Sequence, residues 1–353
     1  MRFYNRQHQY YCGIDLHVKT MYVCILDGTG QVLVHRNLPS TPAAFLEAVS
    51  PYRADLVVAA ECMFTWYWLA DVCAAEGIVF VLGHALAMKA IHGGKAKNDK
   101  IDSHKIAVLL RGGMLPQAYV YPAAMRSTRD LLRRRLHLVR KRGQLLAHIQ
   151  NTRAQYNLPA FEKRLAYPGN RDGVVEHFAD PSVRKSIEVD VTLIDQYDAL
   201  VIDLELTIVR EAKRHDGDAF HRLRSVPGIG KILALTILYE IHDIARFDRV
   251  QEFASYARLV KCRHESAGKK LGTGGAKMGN VHVKWACSEA AVLVLRQTDA
   301  GQATPRGDRE DARQRQSALD SRAQTWAGGV LHAVARDGLL DGEVRRSVEE
   351  ERG

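Results

Sequence analysis

From about residue 9 to 118, apolar side chains come in short β-branched runs broken by turn residues, which is how strands are written in sequence. Three such runs open the region: YYCGIDLH, MYVCILDG and QVLVHRNL. A DGTG turn of hairpin type joins the second to the third. The period then turns helical in TPAAFLEAVSPY, returns to a strand in DLVVAAE, to a helix in TWYWLADVCAAEG, and to a strand in IVFVLG. From Met125 to about Tyr156 the pattern is helical throughout. Leu131, Leu138 and Leu145 recur every seven residues, with Leu132, Leu136, Val139 and Ile149 alongside. A second long amphipathic helix is expected over roughly 190–214, with PGNRDG and similar turn material between the two.

This order predicts three parts. Three meandering strands followed by alternating helices and strands is the order of a ribonuclease-H-like α/β sheet, over 9–118. Two long helices predict an antiparallel coiled-coil arm over 119–216, and a mainly α domain follows over 217–298. Within the last, SVPGIGKILALTILYEI sets a Pro-Gly-Ile-Gly turn between two apolar helical segments, the pattern of a helix-hairpin-helix. Gly228 and Gly230 allow close backbone approach there, and with Lys231 they could cradle a phosphate; a plain packing turn is the alternative. Beyond lies a polar, glycine-rich loop between two helices, carrying Ser266, Lys269, Lys270 and Lys277. A hydroxyl among glycines and lysines has the chemistry of a nucleophile aimed at phosphate, although most loop serines are only loop residues.

Four acidic residues change the picture from architecture to chemistry. Asp15 and Glu61 stand at or just past the ends of apolar runs, where a strand delivers a side chain to a sheet edge. Asp99 and Asp102 lie three apart in a helical stretch, KNDKIDSHKIAVLL, and so share one face. Converging carboxylates repel unless cations neutralise them. Their hard oxygens suit Mg²⁺ or Mn²⁺, which points to metal-assisted phosphoryl transfer.

The charge supports a polyanionic partner: the 353 residues carry a formal net charge of +10. Part of it is concentrated in the first long helix, as Arg129, Arg133, Arg134, Arg135, Arg140, Lys141 and Arg142. That run is either a solvated helix face or a contact to a nucleic-acid backbone, and the acidic residues favour the latter. No apolar run approaches the roughly 18–20 residues of a membrane span, the N-terminus lacks a signal-peptide core, and the six cysteines form no CxxC pair. A cytoplasmic bacterial protein with reduced thiols is expected.

Taken together, GIDLH, the strand ending in AAEC, KNDKIDSHKIAVLLRGG, the basic helix, SVPGIG, YARLVK and ESAGKKLGTGGAKMGN resemble, in register and over roughly residues 10–298, the DEDD transposases of bacterial insertion sequences. Studied members of that family act as bridge-RNA-guided recombinases. The resemblance implies a RuvC-like domain with a metal-binding tetrad of Asp15, Glu61, Asp99 and Asp102, with Mg²⁺ or Mn²⁺ as cofactor, and Ser266 as nucleophile. It also implies double-stranded DNA at the element ends and target as substrate, a guide RNA that chooses sequence by pairing, and a homo-oligomer, dimer or tetramer, with a composite site across protomers. Many members have Lys-Thr-Asp where this chain has Lys97, Asn98 and Asp99; the Asp is kept.

After about residue 300 the resemblance stops. ATPRGDREDARQRQSALDSRAQTWAGG has almost no apolar periodicity and reads as a disordered tail over 299–353. Read one base later with freely chosen codons, DREDARQRQSAL to ARDGLL encodes a peptide close to THGKGKALSILAHKLGRAVFYML, which is how such proteins usually end. The expectation is a frameshifted copy, whose activity is then open, with a divergent native tail as the alternative. Two rival readings remain on the residues alone. One is a RuvC-like junction nuclease using metal-activated water; the other is a non-enzymatic DNA-binding protein whose carboxylates are structural.

Overall fold

The computed structural model describes residues 2–91, 98–226, 228–260, 262–266, 269–274 and 278–297, the side chains of 262–266, 269–274 and 294–297 excepted. The chain divides at Ala123/Ala124 into two compact units.

The first unit is built on a five-stranded sheet. Its strands are β2 (Tyr10–Leu16), β3 (Thr20–Asp27), β4 (Val32–Pro39), β5 (Leu56–Glu61) and β6 (Val79–Gly83), in the spatial order β4-β3-β2-β5-β6. β2, β3 and β4 pair antiparallel as a meander, whereas β5 and β6 run parallel to β2. Mixed pairing of this kind follows from the connections: short turns join the meander, and helices make the crossovers. This is the mixed α/β sheet expected from the strand order. The Asp27 carboxylate builds the predicted turn, its Oδ1 accepting from the Thr29, Gly30 and Gln31 amides at 2.9, 2.8 and 2.9 Å.

Strand alternation sorts the sheet's two faces. Cys12, Ile14, Met21, Val23, Val58 and Ala60 bury against α1 (Pro42–Val49) and α2 (Trp66–Ala75), through Phe45, Val49, Leu69 and Cys73. Tyr11, Cys24, Leu26, Val57 and Ala59 point to the other face, onto α4 (Asp99–Arg111), through Ala107, Leu109 and Leu110. The sequence pattern does not foretell α3 (Ala85–Ile91), nor the short antiparallel pair of β1 (Phe3–Tyr4) with β7 (Leu115–Pro116), which brings the first residues into this unit.

The second unit begins with α5 (Ala123–Gln155) and α6 (Pro181–Ser225). α6 is longer than the expected 190–214 at both ends. Asp180 caps its start, accepting from the Ser182 and Val183 amides, ahead of Pro181 in the first turn. At the other end Asp216 leaves helical geometry (φ −159°, ψ 83°), so α6 kinks on the expected 216/217 boundary instead of stopping there. The Asp216 carboxylate accepts from the Ala219 amide at 2.8 Å, which restarts the helix. Ion pairs Arg135–Glu205, Arg142–Asp198 and His148–Asp190 step in opposite directions along α5 and α6, so the two helices run antiparallel.

A turn through Gly228 (φ +80°) leads from α6 to the apolar α7 (Lys231–Ile241), followed by α8 (Val250–Tyr256). The segment read as a loop around Ser266 is a β-hairpin instead. β8 (Cys262–Ser266) pairs antiparallel with β9 (Lys269–Gly274), and Ser266 stands opposite Lys269. α9 (Val281–Gln297) closes the described chain. Lys277 and the tail over 299–353 lie outside the described residues. No described helix is long and apolar enough to cross a membrane.

Candidate metal centre

Asp15 belongs to β2 and Glu61 ends the adjacent parallel β5. The two strands pair in register up to Ile14 and Ala60, so Asp15 and Glu61 each stand one residue further on. Both point, by strand alternation, to the face covered by α4. α4 begins with Asp99 and carries Asp102 in the same first turn. The four acidic positions therefore lie on one side of the sheet, towards the C-terminal ends of β2 and β5; the group of ligand atoms within 4.8 Å of one another among the described residues holds Asp15 and Asp99 but neither Glu61 nor Asp102.

Two residues explain how α4 arrives there. Asn98 caps it, its Oδ1 accepting from the Ile101 amide at 2.7 Å. Asparagine does here what a threonine would do, which accounts for the departure at this position. The second residue is Gly13. A Cβ there would stand 2.3 Å from both the Ala107 nitrogen and the Ser103 oxygen, so only glycine lets α4 lie directly on β2.

Asp15 is the most enclosed of the three aspartates, at 17% exposed against 33% for Asp102 and 51% for Asp99. Burial pushes its carboxyl above the ordinary aspartate range; the nearby His17 pulls it down, and Asp99 and Asp102 push it up again. His17 was not singled out in the sequence. Its Nε2 lies 3.3 Å from Asp15 Oδ2 and 3.5 Å from Asp99 Oδ1. The i, i+2 spacing of Asp15 and His17 at a strand end was the available signal. Lys105 Nζ donates to Asp102 Oδ1 at 3.3 Å. This donor set fits a hard divalent cation: oxygens dominate, and a half-buried aspartate faces like charges. Asp15, His17 and Asp99 form the group whose ligand atoms lie within 4.8 Å of one another among the described residues.

The basic helix is partly committed inside its own unit. Arg129 and Arg133 both grip Glu240, with Arg129 Nη2 2.9 Å from Oε2 and Arg133 Nε 2.7 Å from Oε1. Asn280 Nδ2 donates to the same carboxylate at 2.8 Å. Burial would raise the Glu240 carboxyl, but Arg133 and Arg129 outweigh it and hold it at about 2. Arg135 and Lys231 pair with Glu205, and Arg142 with Asp198. Arg134, Arg140 and Lys141 are exposed. Gly230 leads into the N-terminus of α7, which has no side-chain cap.

A mixed α/β sheet with acidic residues at one edge, followed by a helical second unit with a basic helix, is the plan of a DNA-processing enzyme, and the comparisons agree. The DEDD transposase model of the IS110 type matches residues 12–157, and that of the transposase IS116/IS110/IS902 family matches 220–305. The transposase for insertion sequence element IS1111A of Coxiella burnetii is 23% identical over 287 residues, 80% of this chain and 77% of the relative. A protein of Sinorhizobium fredii named as transposase y4qE is 24% identical over 209 residues, 56% of this chain and 48% of the relative. The chain belongs to the IS110-type DEDD transposases, enzymes that act on DNA.

Proposed function

We propose that this transposase cuts and rejoins DNA strands through Ser266, with Asp15, Glu61, Asp99 and Asp102 as a divalent-metal site. The observation that supports this reading is the approach of Asp15, at a strand end, to Asp99 in the first turn of α4, with Glu61 and Asp102 placed on the same side of the sheet. When bound, Mg²⁺ or Mn²⁺ would offset charge on the scissile phosphate. The Ser266 hydroxyl attacks the phosphorus, the bond to the 3′ oxygen breaks, and that oxygen leaves as a 3′ hydroxyl. The 5′ phosphate stays on the serine until an incoming 3′ hydroxyl displaces it. Lys269, Lys270 and Lys277 would attend the phosphate. Arg134, Arg140 and Lys141, being exposed, are the residues of the basic helix best placed for backbone contact.

The finer parts of the reading rest on the sequence pattern and the family resemblance. These are an RNA guide, a helix-hairpin-helix at Gly228, Gly230 and Lys231, the α5–α6 pair as an oligomerisation arm, and an inactive copy caused by the tail. Trapping with end-containing DNA tests the core claim. A covalent protein–DNA adduct, lost in both Ser266→Ala and Asp102→Ala, is the expected result. Cleavage with a free 5′ phosphate and no adduct would instead identify a water-using nuclease. The gene's reading frame near codon 300 decides beforehand whether the normal C-terminus must be restored for the assay.

A further inference from the structure

We propose that His17 is a direct ligand in the metal centre, and that its nitrogen biases the site towards Mn²⁺ over Mg²⁺. This rests on the reading that Asp15 and Asp99 hold a divalent cation.

The position of the imidazole carries the argument. Nε2 lies within 3.5 Å of one oxygen from each of two carboxylates on different elements, Asp15 on β2 and Asp99 on α4. Cation–ligand bonds of about 2.1 Å place neighbouring ligands about 3 Å apart, so the nitrogen stands near the spacing that one shared ion requires from each carboxylate, and the ligand atoms of the three residues lie within 4.8 Å of one another. The backbone beneath the ring is fixed on both sides. The His17 amide donates to the Thr20 carbonyl at 2.9 Å. The His17 carbonyl accepts from Ser40 Oγ at 2.8 Å, and that of Leu16 from Thr65 Oγ1 at 3.0 Å. The ring itself is half exposed, at 51%, and so is free to exchange a carboxylate for an ion.

A nitrogen donor matters because Mg²⁺ strongly prefers oxygen and keeps its waters, while Mn²⁺, although the weakest binder of the first-row transition series, accepts an imidazole more readily than Mg²⁺ does. A site of carboxylates alone would discriminate little between Mg²⁺ and Mn²⁺. With His17 as a ligand, the Mn²⁺ preference becomes a property of this one side chain.

The test uses Mn²⁺ and the full chain without DNA, so it depends neither on catalysis nor on the tail. Electron spin-echo spectra of the bound Mn²⁺ are expected to show modulation from an imidazole ¹⁴N. That modulation should vanish in His17→Gln. The same variant should bind Mn²⁺ about tenfold or more weakly, with Mg²⁺ affinity little changed. Mn²⁺ that is bound, is lost in Asp15→Asn and shows no nitrogen coupling would overturn the role of His17 and leave the metal centre standing. Nitrogen coupling that persists in His17→Gln would overturn it too, since another histidine would then be the ligand. Absent binding, or binding unchanged in Asp15→Asn, would overturn the metal centre itself and this inference with it.

Discussion

Asp15 and Glu240 are both enclosed carboxylates, one in each unit, and the protein treats them in opposite ways. Glu240 is surrounded by its own chain's cations and donors, Arg129, Arg133 and Asn280, and its carboxyl is held at about 2. Asp15 is given one imidazole and two further aspartates, and its carboxyl is raised. Both are taken out of water, which disfavours charge. What differs is who supplies the compensation. A carboxylate satisfied from within is part of the scaffold, and one left facing like charges is arranged for a ligand from outside.

Breaking the internally satisfied site should have the largest effect. Glu240→Ala leaves the guanidinium of Arg129, only 10% exposed, without its carboxylate. A loss of about 3–5 kcal/mol is expected in urea unfolding of the second unit. Gly13→Ala attacks the other site through its support. It forces β2 and α4 apart where the gap has no room for a methyl group, and should cost about 1–3 kcal/mol in the first unit while weakening cation binding. Calorimetry of thermal unfolding with and without Mn²⁺ reads both effects.

Acid sharpens the contrast because the two signs differ. The folded pKa of Glu240 lies below its unfolded value. Its stabilisation is therefore complete above the usual carboxylate range and is lost as pH falls through that range towards about 2. The folded pKa of Asp15 lies above its unfolded value, so its charge penalises the fold at neutral pH, and the penalty fades as pH falls through the raised value. Mild acid should thus steady the first unit before stronger acid undermines the second. Urea titrations at several pH values, with each unit's unfolding read by pulsed hydrogen exchange at one fixed pulse pH, follow the two separately. The smallest effect is expected from Asp15→Asn. Metal-free, its melting temperature should rise slightly as repulsion is relieved, whereas the added stability that Mn²⁺ confers on the parent chain should disappear.

The legibility of these features in sequence follows the same division. Strands β2, β3, β5 and β6 were readable because they bury apolar runs, and hydrophobic period reports burial; β4, exposed or half-exposed along its length, was readable from the DGTG turn before it and its own valines. The four acidic positions stand out because each interrupts or ends an apolar pattern, and of them the described structure groups Asp15 and Asp99, with His17. The Ser266 hairpin was not, since CRHES and KKLGTG carry no apolar alternation to distinguish a strand from a loop. His17 escaped notice because a histidine after a strand has many ordinary uses, and only the return of α4 gives it two carboxylate neighbours. The commitment of Arg133, Arg135 and Arg142 was equally hidden. A basic run looks the same whether its partners are phosphates or the distant Glu240, Glu205 and Asp198.

Asn280 gives the Glu240 site a consequence in time. It lies 40 residues downstream of the carboxylate it completes. At a synthesis rate of about 5–20 residues per second, a growing chain spends roughly 2–8 s with Glu240 and its arginines made and Asn280 still to come. Asn280 also starts α9, its side chain accepting from the His282 and Val283 amides, and its own amide donates to the Tyr256 carbonyl. One late residue thus joins the last described helix to a carboxylate set in place by the first long one. A message cut short before that codon yields a chain whose second unit has its charges but not its clasp, the kind of product that cellular proteases clear.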